Sequence, residues 1–144
     1  APQDLAGGGH QHTAQIVHHG GRVSGAAGRA GAGRAAPGGA AAGAGIAYLC
    51  GGGYEEVIHT VVNALAIVSG MVCDGAKASC AAKIAASVDA GILGYNMYLQ
   101  GQQFYAGDGI ITKGIEGTID NVGRLGKDGM KETNEEIIRI MIND

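Results

Sequence analysis

The sequence is poor in the residues that usually fill a protein core, since its 144 residues include no tryptophan, one phenylalanine and two prolines. Glycine, in contrast, occurs 28 times. A chain of this length can bury a core of its own, but that core must be built from Ala, Val, Leu and Ile. We therefore expect backbones to pack closely wherever Gly and Ala face each other.

The sequence also lacks an excess of positive charge, with 10 Lys and Arg against 13 Asp and Glu and a formal net charge of −3. This balance provides no basic surface for nucleic acid or for an anionic membrane. No basic region followed by an apolar stretch marks the N-terminus as a secretory signal. The longest apolar stretch, 57–72, contains His59 and Asn63 and is about one helical turn shorter than a typical membrane span.

Cysteine is scarce as well, since the chain has only three. Three thiols cannot form a disulfide scaffold, and their scarcity favours a reducing compartment. The scarcity of cysteine and the slightly negative net charge together predict a soluble, cytoplasmic protein without a nucleic-acid or membrane partner.

The chain divides into two unlike parts. Residues 1–45 hold 13 of the glycines and four of the five histidines. They offer few large side chains to bury, so ordering them costs backbone entropy with little return, and we expect this segment to be irregular. The four histidines could chelate zinc or nickel, although a solvated tail is the simpler interpretation. From residue 46 to 144 the sequence predicts an all-α domain.

Apolar spacing indicates several helices in this second part and no alternating strand. Gly91 and Gly94 fall inside one helix and suggest a close helix–helix approach. Thr133 is a plausible N-cap of the last helix, with Glu136 completing a capping box. The predicted helices cover residues 54–72, 76–99, 115–125 and 133 onward.

The stretch CDGAKASC places Cys73 and Cys80 seven positions apart. On an unbroken helix they would lie roughly 10 Å apart along the axis, too far to share a compact metal centre. A helix break at Asp74 and Gly75, with Gly75 in a left-handed C-terminal position, would let the sulfurs converge. The helix N-terminus and Lys77 would then favour thiolates. Half of a cysteine-ligated metal site and a pair of structural thiols are both open interpretations.

Longer motifs add a resemblance over residues 46–144. The stretch GMVCDGAKASCAAKIAASVDAGIL, followed by GDGIITKGIEGTIDNVGRLGKDGMKETNEEIIRIM, resembles the C-terminal end of the iron–sulfur L-serine dehydratase α-subunit superfamily. The L-cysteine desulfidase-like branch is the most similar part of it.

The resemblance implies a β-eliminating lyase that converts L-cysteine to pyruvate, sulfide and ammonia, or L-serine to pyruvate and ammonia. It also implies a 4Fe–4S cluster held by three cysteines with one iron left open. Cys73 and Cys80 match two of those ligands. Asp74, Lys77 and Asp108 are candidates for contacts to the cluster or the substrate, with a helix end, a surface charge and a loop turn as the respective alternatives.

The chain departs from the family at the third ligand. The matching upstream position is Gly33, and no cysteine occurs in residues 1–49. Cys50 occupies a position that is usually aliphatic in relatives, and we interpret it as a core residue. The family's N-terminal region, the implied source of the catalytic base, is absent, so whether this chain is itself an enzyme stays open and we expect the isolated fragment to be inactive.

Two alternatives accompany this interpretation. Residues 1–40 could be a frameshifted version of the missing family segment. The protein could also be a non-catalytic helical module with structural or zinc-binding cysteines that pairs with a partner chain. A homo-oligomer, or a partner that supplies the missing region, is compatible with either function.

Overall fold

The structure is a computed structural model that describes residues 35–74 and 78–143. This part of the chain contains five α-helices and no strand, which confirms the all-α prediction. A π-helical turn, Leu125–Gly129, links the last two helices. The helices are α1 (Ala35–Leu49), α2 (Tyr54–Ile67), α3 (Ala78–Leu99), α4 (Ile115–Arg124) and α5 (Lys131–Asn143).

Glycine creates the contact between α1 and α3. A Cβ atom at Gly43 would lie 2.6 Å from the Cα of Gly91, so no side chain fits between the two backbones. A Cβ at Gly39 would overlap the backbone of Ser87. The two contacts advance by four residues in the same direction on both helices, so α1 and α3 run parallel. The close approach predicted at Gly91 is confirmed.

Helix α2 runs antiparallel to α3 and lies at the centre of the fold. The side chain of Asn63, fully buried, donates from Nδ2 to the carbonyl of Gly94 at 3.0 Å. Its Oδ1 accepts from the backbone N–H of Phe104 at 3.2 Å. Because both ends of this buried amide have a partner, Asn63 fastens α2 to α3 and to the segment after it.

Apart from Tyr95, the core is aliphatic, as the composition predicts, and it draws on α1, α2, α3, α4 and the segment before α4. In contrast, α5 has no buried side chain. None of the helices in the described part is both long and apolar enough to span a membrane. The buried cluster consists of Ala40, Ala44, Ala47, Val57, Val61, Val62, Ala64, Leu65, Tyr95, Ile111, Ile115 and Ile119.

Helix α1 begins at Ala35, eleven residues before the boundary that we placed at 46. The end of the Gly/Ala-rich segment is therefore helical, because its small residues allow the backbone contact with α3. The predictions for residues 1–34, including an irregular or frameshifted segment and a histidine chelate, lie outside the described residues.

Two predicted helix ends are wrong. Helix α2 ends at Ile67 rather than near residue 72, and the hydroxyl of Ser69 donates to the carbonyl of Ala66 at 3.0 Å in place of a further helical turn. Thr133 is not an N-cap, because the π-helical turn leads directly into α5 at Lys131. A capping contact occurs instead at α2, where the N–H of Gly53 donates to Glu56 at 2.8 Å.

Candidate functional site

The break between α2 and α3 brings two thiols together. Cys73 follows α2 in a segment without regular secondary structure, and Cys80 is the third residue of α3. Their Sγ atoms lie 3.5 Å apart, and no disulfide joins them. The structure thus has the convergence that the motif predicts. Gly75, which we expected to make the turn, lies outside the described residues, and ligation by the two cysteines stays a prediction.

Asp74 connects the thiol pair to the first turns of α3. Its carboxylate accepts hydrogen bonds from the hydroxyl of Ser79 at 2.8 and 2.9 Å and from the thiol of Cys80 at 3.2 Å. The ammonium of Lys83 lies 2.8 Å from the same carboxylate. These contacts fix the segment that carries Cys73 against the start of α3, and this explains why the two sulfurs meet.

Electrostatic interactions keep both Asp74 and Lys83 charged. The hydrogen bond from Lys83, followed by those from Ser79 and Cys80, holds the pKa of the Asp74 carboxyl far below its ordinary value of 3.8. The bond to Asp74 in turn raises the pKa of Lys83, with smaller contributions from Cys80 and Cys73. Both partners are therefore ionised across the physiological pH range.

Lys83 and Ser79 are the site residues that sequence reasoning missed. We expected the neighbouring cation to be Lys77, which lies outside the described residues. Lys83 follows Cys80 by three positions, and residues three apart share a helix face. Helical periodicity from residue 78 onward would have identified it.

Two other candidate residues lie away from the thiol pair. Asp108 accepts from the backbone N–H of Tyr105 at 2.6 Å in a turn beyond the C-terminal end of α3, which matches its loop-turn alternative. Cys50 is exposed rather than a core residue. Because Gly39 contacts Ser87, a rise of about 1.5 Å per residue places Cys50 roughly 27 Å from Cys80 along the helix axes.

A cavity of about 440 Å³ lies at the Cys50 end of the fold, between α2 and the segment 103–115. His59, at its edge, stacks on Tyr98 with ring centroids 4.7 Å apart. The Nε2 atom of His59 also lies 3.7 Å from a carboxylate oxygen of Glu55. Burial, together with Glu56 and Glu55, raises the pKa of Tyr98. His59 is thus a partly exposed residue at the edge of this cavity.

The thiol pair fits part of a metal centre. Among the described residues, no group of three or more His, Cys, Asp or Glu side chains is arranged to hold a metal ion. Two adjacent thiols are nevertheless the donors that iron–sulfur clusters and zinc take from proteins. Two thiolates on one tetrahedral ion with bonds of about 2.3 Å lie roughly 3.8 Å apart, close to the observed 3.5 Å. A cluster, which places each thiolate on its own iron, requires the sulfurs to move further apart.

Comparison with known proteins gives a family. The model of the family described as "Serine dehydratase alpha chain" matches residues 11–139. A UPF0597 protein from Desulfitobacterium hafniense (strain Y51) is 74% identical over 100 residues, which are 69% of this chain and 23% of that protein. A UPF0597 protein from Lachnoclostridium phytofermentans is 55% identical over 100 residues, 69% of this chain and 24% of the relative.

The UPF0597 protein from Clostridium perfringens (strain SM101 / Type A) is 39% identical over 135 residues, 90% of this chain and 29% of the relative. This match and the family match both extend into the Gly/Ala-rich segment at residues 1–45. The chain spans about a quarter of the length of the curated relatives it matches. No solved structure matches it.

Proposed function

We propose that this chain, which belongs to the serine dehydratase alpha chain family, is the C-terminal domain of an iron–sulfur β-eliminating amino-acid lyase. The parent enzyme would act on L-cysteine or L-serine. Cys73 and Cys80 would hold two irons of a 4Fe–4S cluster. When bound, such a cluster would supply a Lewis acid through an iron that no cysteine ligates. The observation that supports the proposal is that the two thiols of the family-like motif converge across the break between α2 and α3.

The chain's own residues prepare this half of the site. Asp74 accepts a hydrogen bond from the thiol of Cys80 and forms an ion pair with Lys83. The segment that carries Cys73 and Asp74 is therefore oriented before a metal binds. Preorganised ligands avoid the cost of ordering the segment during binding. In this proposal Asp74 and Lys83 are positioning residues, since Asp74 acts through the thiol of Cys80 and Lys83 acts through Asp74.

The third ligand must come from elsewhere. Because α1 runs parallel to α3, the chain enters α1 at the end of the fold where Cys80 lies. Gly33, which matches the third cysteine of relatives, precedes this entry point. We propose that a partner's thiol or an added small thiol replaces it. The catalytic base and the amino-acid substrate contacts would come from the remaining three quarters of a full-length relative, in the same chain or in a partner subunit.

Anaerobic reconstitution with iron and sulfide tests the proposal. The unaltered chain and a Cys50→Ser control are expected to take up iron and acid-labile sulfide together, because Cys50 lies far from the pair. A Cys73→Ser/Cys80→Ser variant is expected to take up neither. Absence of sulfide from all three proteins, in the presence of an added thiol, would contradict cluster binding.

One observation favours a second candidate, a helical module that binds zinc and has no catalytic role. The sulfur separation is closer to that of two thiolates on a single tetrahedral ion than to that of two thiolates on different irons. Expression of the protein in medium that contains both iron and zinc separates the two candidates. If the zinc-binding module is correct, the purified chain contains zinc and no acid-labile sulfide.

A further inference from the structure

We infer that Cys73 and Cys80 form a redox-modification site, at which a low-molecular-weight disulfide oxidises the metal-free pair to an intramolecular disulfide. The inference depends on the thiol geometry and does not require that a cluster binds. Its consequence for cluster loading, in contrast, rests on the proposed function.

The distance between the sulfurs carries the inference. They are 3.5 Å apart, so an approach of roughly 1.5 Å brings them to the 2.05 Å of a disulfide bond. Cys73 belongs to the segment 71–74, which has no regular secondary structure. Cys80 lies in the first turn of α3, where backbone N–H groups have no intrahelical partner. Closure therefore requires few backbone hydrogen bonds to break.

Distance separates this pair from the third cysteine. Cys73 and Cys80 are both partly exposed, so a small disulfide can reach them. Cys50 is exposed too, but at roughly 27 Å from Cys80 along the helix axes it has no intramolecular partner. It can only form a mixed disulfide, whereas the pair resolves its own mixed disulfide within the protein.

The Asp74 contacts survive the reaction. Oxidation removes the thiol hydrogen that Cys80 donates to Asp74, but the carboxylate keeps its hydrogen bonds from Ser79 and its ion pair with Lys83. No buried charge is left without a partner, so the folded state accommodates both redox forms.

The exchange proceeds in two balanced steps. One protein thiolate attacks a sulfur of the small disulfide, which breaks its S–S bond, forms a mixed disulfide and releases one small thiol. The second protein thiolate then attacks the protein sulfur of the mixed disulfide and releases the second small thiol. The protein loses two electrons, the small disulfide gains them, and the two protons leave with the released thiols.

The test uses the reduced, metal-free full chain, incubated anaerobically at a series of ratios of reduced to oxidised glutathione and then alkylated. Mass spectrometry is expected to show a Cys73–Cys80 disulfide in the unaltered chain and in Cys50→Ser. Single Cys73→Ser and Cys80→Ser variants are expected to accumulate glutathione on the remaining thiol. Glutathione adducts on all three cysteines of the unaltered chain, without an intramolecular bond, would overturn the inference.

A second measurement shows whether the fold creates the site. The same equilibrium in concentrated urea is expected to yield an equilibrium constant for ring closure at least tenfold lower, because the folded chain holds the sulfurs together. An equal constant in both states would mean that sequence proximity alone forms the bond, and the inference would fail.

Reconstitution before and after reduction with dithiothreitol then separates this inference from the proposed function. Iron uptake only after reduction is expected if both hold. A disulfide that forms reversibly while iron never binds would leave the modification site standing and refute the cluster.

Discussion

Replacing Gly43 by alanine tests whether backbone contact with α3 holds α1 in place. The new Cβ would lie 2.6 Å from the Cα of Gly91 and 3.1 and 3.2 Å from its carbonyl carbon and oxygen. Relaxed carbon contacts lie at about 3.5–4.0 Å, so α1 and α3 must separate by roughly 1 Å. All three contacted atoms belong to the backbone, so no side chain can rotate away.

The magnitude follows from a matched pair of variants. Gly45 lies on the same helix, and a Cβ there meets nothing within 4 Å. Both substitutions gain the same helix propensity, about 1 kcal/mol, while only Gly43→Ala is overpacked, at a cost of about 1–3 kcal/mol. We therefore expect the free energy of unfolding of Gly43→Ala to be about 1–3 kcal/mol lower than that of Gly45→Ala.

Urea unfolding followed by far-ultraviolet circular dichroism measures this difference. If the two variants unfold at the same urea concentration with the same slope, α1 does not pack on α3 through these glycines. The parallel arrangement of the two helices would then be wrong, and with it the position of the α1 entry point beside the thiol pair.

Two further predictions concern polar groups. Asn63→Ala is expected to lower the free energy of unfolding by about 2–4 kcal/mol, because it leaves a cavity at a fully buried position, removes the partner of the Phe104 N–H and removes one hydrogen bond to the Gly94 carbonyl. The exposed Asn96→Ala control is expected to change the free energy of unfolding by less than about 0.5 kcal/mol. Asp74→Asn is expected to be less stable to heat than the unaltered chain by an amount that is constant from pH 8 to pH 5 and shrinks below about pH 4. The reason is that the pKa of the Asp74 carboxyl falls on folding, so its contribution to the stability of the folded state is lost as the pH drops towards the folded pKa. A loss that instead disappears between pH 6 and pH 8 would show that Asp74 is not held anionic by Lys83.

The helices of the second part could be predicted because their apolar residues recur with a helical period. Helix α1 could not, since its contact with α3 depends on the absence of side chains at Gly43 and Gly91, which a hydrophobic pattern does not register. The sequence prediction extends α2 too far towards the C-terminus for a related reason. Val68 is buried against Ala90 after the helix has ended, so the apolar pattern continues where the helix does not.

Only those features of the candidate site that depend on residues close together in the sequence could be predicted. The convergence of Cys73 and Cys80 follows from a helix break within eight residues of sequence. The ion pair between Asp74 and Lys83 required knowledge of where α3 begins, because the start of the helix decides which residues face back towards the break. The exposure of Cys50 depended on tertiary placement, which no local pattern contains.

The two halves of the proposed metal site therefore have separate structural origins. The thiol pair depends on the α2–α3 junction and the contacts of Asp74, all within residues 73–83. The position for a third ligand depends on α1, which close backbone packing places beside the same end of α3. In the proposed site the third ligand position corresponds to Gly33, and a glycine there would remove that ligand without disturbing the thiol pair. Dithiol chemistry at Cys73 and Cys80 should consequently persist even where a cluster cannot assemble.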